Sequence, residues 1–121
     1  MALSAAVLSG SSGGKNITVA ATASTGTTVH DTDVSATIYH RVFLYGSCTS
    51  TSGDTLLTVE FGGTSSGDRI IQTIPAQVGR VPIVENQILV GTGAAARSVK
   101  AYAATANVIQ LSGWVNKHST S

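Results

Sequence analysis

From Thr37 to Cys48 the chain alternates at period two without a break. Ile38, His40, Val42 and Leu44 fall on one face of an extended strand, and Tyr39, Arg41, Phe43 and Tyr45 fall on the other. A helix of 3.6 residues per turn would scatter both sets around its axis. Both faces are bulky, so the segment is expected in the centre of a sandwich or between subunits, with Arg41 reaching towards solvent or a partner.

Shorter extended segments recur about every ten residues between Gly, Ser, Asn and Asp clusters. Lys15 to Ala23 alternates through Ile17, Val19 and Ala21, and Ser24-Thr25-Gly26 turns the chain into Thr27 to His30. After Thr37 to Cys48, the turn Ser50 to Asp54 predicts a hairpin with Thr55 to Phe61, placing Leu57, Val59 and Phe61 inward and Thr58 and Glu60 outward. Asp68 to Ile74 follows and ends at Pro75. Val81 to Val84 and Gln87 to Val90 flank a predicted Glu85-Asn86 turn, and Pro82 assigns the first of them to a sheet edge because it cannot donate to a ladder. Ser98 to Ala104 and Val108 to Val115 are expected to pair through a turn at Ala106-Asn107. The pattern predicts an all-β fold, an antiparallel, jelly-roll-like β-sandwich of eight or nine strands.

Residues 1–14 read differently. An apolar opening with Leu3, Val7 and Leu8 meets Gly10-Ser11-Ser12-Gly13-Gly14, a linker composition. The expectation is a flexible N-terminal arm at 1–14 and a single sandwich domain at 15–121. The three apolar side chains alone would not offset the entropy of ordering such an arm. It is therefore expected to bind a neighbouring subunit as an added strand.

With 121 residues the chain suits one core, and its lone cysteine, Cys48, cannot close an internal bridge. Charged residues are 11% of the chain and the formal net charge is +1, so nothing draws in nucleic acid or an anionic membrane. No stretch approaches the ~20 apolar residues of a membrane-spanning helix. A surface rich in Ser, Thr, Asn and Gly can be dehydrated against a neighbour at little electrostatic cost. A homo-oligomer is expected.

Motifs for chemistry are sparse. Gly91-Thr92-Gly93-Ala94-Ala95-Ala96 superficially matches a dinucleotide fingerprint, yet the helix that would hold pyrophosphate is replaced by the strand-like Ser98 to Tyr102. His30-Asp31-Thr32-Asp33 offers too few oxygen ligands for a calcium ion and reads as a solvated turn. His40 reads as a hydrogen-bonded core or interface histidine, and Cys48 as a small packed hydrophobe. No nucleophile elbow is present, so no catalytic residue, cofactor or metal is assigned and the protein is not expected to be an enzyme. The residues expected at a protein interface are Leu3, Val7, Leu8, Tyr39, Arg41, Tyr45 and Trp114.

Leu8-Ser9-Gly10-Ser11-Ser12-Gly13-Gly14-Lys15-Asn16-Ile17, Leu57-Thr58-Val59-Glu60-Phe61-Gly62-Gly63-Thr64, Ile74-Pro75-Ala76 and Ala103-Ala104-Thr105-Ala106-Asn107-Val108-Ile109 span nearly the whole chain. In these phrases it resembles small head-decoration proteins of tailed bacteriophages. The resemblance implies a cement protein on the capsid exterior of a virion, commonly a trimer, that reinforces contacts between major capsid protein subunits. It transfers no functional residue. The alternative expectation is a carbohydrate- or receptor-binding β-domain of a tail fibre or secreted protein, which should show an aromatic platform or a calcium site.

Overall fold

The computed structural model describes residues 3–119, and among them the regular structure is nine strands and one turn of 3₁₀ helix. The strands are β1 (Leu3–Val7), β2 (Ile17–Thr18), β3 (Thr27–Asp31), β4 (Ile38–Cys48), β5 (Thr55–Phe61), β6 (Arg69–Ile74), β7 (Val81–Leu89), β8 (Ser98–Ala103) and β9 (Ile109–Ser119). All strand pairings are antiparallel. One sheet runs β1-β9-β4-β7, with β2 also on β9, and the other runs β3-β8-β5-β6. The fold is all-β, and its two antiparallel sheets around one apolar core are consistent with a β-sandwich.

The long alternating segment forms the axis of the first sheet. β4 pairs with β9 along its whole length, from Ile38↔Ser119 to Cys48↔Ile109, and with the edge strand β7 on its other side. Its even-numbered residues His40, Val42, Leu44 and Cys48 are buried, while Tyr39, Arg41, Phe43 and Tyr45 are half-buried on the outer face. β5 supplies Leu57, Val59 and Phe61 to the core from the opposite sheet, beside Val99, Ala101 and Ala103 of β8. Thr58 and Glu60 are buried as well.

Several expectations are corrected. β4 and β5 do not form a hairpin. β4 lies in the first sheet and β5 in the second, each turning an apolar face to the core between them, so the 49–54 turn carries the chain across. β8 and β9 are separated in the same way, with the 104–108 turn crossing between sheets. The Glu85-Asn86 turn is a β-bulge inside one continuous strand. Val42 faces Gln87 and Phe43 faces Glu85, which leaves Asn86 as the extra residue at φ 64°. Of Lys15 to Ala23 only Ile17–Thr18 is strand. The chain beyond it folds over the second sheet, where the Ala103 N–H donates to the Ala21 carbonyl.

The N-terminal segment is also corrected, because it is not a free arm. β1 pairs with β9 from Leu3↔His118 to Val7↔Trp114, and Leu8 is 1% exposed within the core. The glycines and serines after it form turns, Ser11 N–H donating to the Leu8 carbonyl and Lys15 N–H to the Ser12 carbonyl. Covering β9 with β1 and β2 removes an open edge beside the longest ladder, a stronger reason for order than the linker composition is for disorder.

Candidate docking face

Outward residues of β1, β9 and β4 meet on the outer face of the first sheet. Phe43 and Trp114 are register partners, and their rings stack at 4.7 Å between centroids and 11° between planes. The spacing matches that of neighbouring strands, so the sheet itself sets the stack. Tyr45 stacks on Trp114 at 6.0 Å, and the Arg80 guanidinium lies 5.0 Å from the centre of the Tyr45 ring. Val7, half exposed, flanks Trp114 on the β1 side, and Trp114 is itself 38% exposed.

The same face continues to a second cluster. Tyr39 meets His118 edge to face at 5.3 Å. Arg41 Nε donates to His118 Nε2 at 3.1 Å, and its Nη1 donates to Asn86 Oδ1 at 3.3 Å. Arg41 is thus tied down within its own sheet, and the bulge at Asn86 supplies the acceptor.

Five of the seven expected interface residues, Val7, Tyr39, Arg41, Tyr45 and Trp114, lie on this one face. Leu8 does not, being in the core. Leu3 begins β1, but its side chain lies outside the described residues. Phe43, Arg80 and His118 join the face without having been singled out. Phe43 was legible, since it sits between Arg41 and Tyr45 in the alternation. Arg80 lies outside any strand and carried no such signal.

Polar groups gather at one end of the core between the sheets. His30 of β3 and His40 of β4, 2% and 0% exposed, face each other at 2.8 Å between Nε2 and Nδ1. Ser9 N–H donates to His30 Nδ1 at 3.0 Å, and Asp33 N–H donates to His40 Nε2 at 3.2 Å. Asp33 Oδ2 is 3.8 Å from that Nε2, and Lys117 Nζ is 3.8 Å from Asp33 Oδ1. Burial, reinforced by the neighbouring His40, pushes His30 down to about 4, and burial with Lys117 nearby also lowers His40. The imidazole nitrogens contact each other directly, leaving no space for a cation between them. No group of three or more His, Cys, Asp and Glu among the described residues is arranged to hold a metal.

The Gly91 to Ala96 segment is the loop from β7 to β8. Thr92 Oγ1 accepts the N–H groups of Ala94 and Ala95 at 3.1 and 2.8 Å, so two backbone donors that a phosphate would need are taken. Beside it lies a cavity of about 340 Å³, lined by Glu60, Gly62, Thr64, Arg97, Ser98 and Lys100 among others. Its lining contains no aromatic ring. No known protein family, curated protein or solved structure matches the chain.

Proposed function

We propose that this chain is a virion structural protein that decorates and stabilises a bacteriophage capsid from outside through protein–protein contacts, with no catalytic role. The observation that carries the reading is the outer face of the first sheet. Trp114, Phe43, Tyr45 and Val7 form a continuous aromatic and aliphatic row, and the Arg80 guanidinium beside it is already set against the Tyr45 ring. Exposed aromatic side chains with an arginine beside them are the residue types that dominate binding energy at protein interfaces. The stacked rings turn their faces to one another. A sugar, which needs an open ring face to stack on, is therefore less well served than a protein surface that packs against ring edges.

Strand order supports the same reading. We read the order β1/β2-β9-β4-β7 against β3-β8-β5-β6 as two interleaved Greek keys, with β1 and β2 taken together as one strand position. This jelly-roll arrangement is used by viral capsid and lectin domains. We extend the proposal to a homotrimer seated on the major capsid protein, as the resemblance implies.

The test is co-sedimentation of the purified protein with intact phage heads, comparing the unmodified chain with Trp114→Ala and Tyr45→Ala. Binding by the unmodified chain and at least tenfold weaker binding by both folded variants is expected. Retention on immobilised oligosaccharides with no affinity for heads would replace the capsid reading with the carbohydrate one.

A further inference from the structure

The two buried histidines lie in a hydrogen-bond chain whose protons can be counted. Ser9 N–H donates into one end, at His30 Nδ1, and Asp33 N–H donates into the other, at His40 Nε2. The middle contact, His30 Nε2 to His40 Nδ1, needs one hydrogen. The chain therefore has a place for one ring proton, but two neutral imidazoles carry two. The surplus must displace one of the two end donors, and the position on His40 Nε2, which gives up the Asp33 N–H contact, is the one with a carboxylate oxygen, Asp33 Oδ2, 3.8 Å away. That assignment makes His30 the Nε2–H tautomer, donating to His40 Nδ1 and keeping Nδ1 free to accept from Ser9.

A third proton cannot be added to this chain without losing the Ser9 contact as well. Placed on His30 Nδ1, it confronts the Ser9 N–H directly. Placed on His40 Nδ1, it confronts the His30 Nε2–H, which must then move to His30 Nδ1 and again confronts Ser9. Either route removes the acceptor of the Ser9 amide. Ser9 is the root of β1: its Oγ accepts the Asp31 N–H at 2.7 Å, and the next residue, Gly10, donates to the Val29 carbonyl at 2.9 Å.

We propose that the Ser9–His30–His40–Asp33 chain is a proton-operated latch that holds the N-terminal strand β1 on the edge of β9 and lets it open when one imidazole is protonated. The charged groups facing the pair are Asp31 on β3, Asp33 on the β3–β4 loop and Lys117 on β9. Lys117 opposes protonation and the two carboxylates favour it, so the surrounding charges do not by themselves exclude the extra proton. Burial keeps the latch shut near neutrality. Opening would free the edge of β9 from Trp114 to His118, which β1 now covers, for pairing with another strand. The inference rests on the hydrogen-bond chain and stands apart from the capsid reading.

The experiment is amide hydrogen exchange by NMR on the full chain between pH 7.5 and 4.5, with the imidazole signals followed in parallel. One proton linked to opening predicts that protection at Ser9 and at the β1 amides falls about tenfold per pH unit below the free-imidazole range, after correction for intrinsic exchange. That exchange should be insensitive to low urea, while the β4–β9 amides remain protected to a higher free energy. In His30→Asn the side-chain oxygen can accept from Ser9 without titrating, and the pH slope at β1 should vanish. An unchanged slope in His30→Asn overturns the latch. So does imidazole titration in the unmodified chain with no accompanying change at Ser9, or loss of β1 and β4–β9 protection together at every pH.

Discussion

Glu60 lies near the end of β5 with 1% of its surface exposed, although alternation places it on the outward face. The chain after β2 covers it, and its carboxylate accepts the Ser24 hydroxyl at 2.5 Å and the Gly26 N–H at 2.9 Å. Charge-assisted bonds of this kind hold the covering segment in place. Glu60→Ala leaves the Gly26 donor without its partner and should lower stability by about 2–3 kcal/mol, against less for Glu60→Gln, which keeps an acceptor. Urea denaturation decides it, and a loss below about 0.5 kcal/mol for the alanine variant would show that the segment is held by other contacts. Gly113, opposite Leu44 in the β4–β9 ladder, has φ 151°, and a Cβ there would collide with the Phe43 carbonyl oxygen. Gly113→Ala forces the two strands apart where Phe43 and Trp114 stack. A loss of about 3 kcal/mol or more is expected, with quenched or shifted Trp114 fluorescence as the local readout. Neither role is written in the residue itself: glutamate at an outward position and glycine within a strand acquire them from chain segments distant in sequence.

At the scale of elements, β1 and Leu8 contribute differently to stability. β1 makes a five-residue ladder with β9, and its backbone ordering cost offsets much of that gain. Leu8 is packed in the core, so its loss leaves a cavity. Removing residues 1–7 should therefore cost about 1 kcal/mol or less, and removing 1–9 at least about 2 kcal/mol more. Thermal melts of the two truncations at equal concentration test this, and equal melting temperatures would mean that Leu8 does not anchor the segment. Strand positions were legible because alternation is a local property, visible in Thr37 to Cys48 or Thr55 to Phe61 without knowledge of partners. Pairings were less legible. β4 joins β9 across most of the chain, and nothing in a turn such as 49–54 states whether the next strand returns beside its predecessor or crosses the core.

For the whole molecule, the buried histidine pair sets the pH dependence of folding. His30 in the folded chain titrates near 4, against about 6.5 when unfolded, because burial disfavours its charged form and His40 adds to the effect. The unfolded state thus binds more protons between these values, and stability rises with pH across that window. The His30 contribution is complete above about pH 6.5 and is lost progressively as the pH falls to about 4, a change on the order of 3 kcal/mol. His40 shifts the same way and adds to the loss. Denaturation midpoints at pH 7.5, 6, 5 and 4.5 should decline in that order, and a flat profile would mean that both rings titrate alike in the folded and unfolded chain.

The sequence by itself determined the all-β class, the two faces of β4 and the edge position of Pro82, since each follows from side-chain periodicity or from a missing backbone donor within a few residues. It also assembled most of the outer aromatic face, because Tyr39, Arg41 and Tyr45 share one side of one strand, although Trp114 joined them only through the β4–β9 register. Tertiary structure alone decided that Leu8 enters the core, that Asn86 is a bulge and that His30 meets His40 across the two sheets. The composition of residues 1–14 describes a chain with many open conformations. Which one it adopts depends on an exposed edge of β9 and on a histidine acceptor for Ser9, both formed more than twenty residues away. Local propensities are weak beside such long-range pairings, and the free energy that selects among them exists only once the sheets have come together.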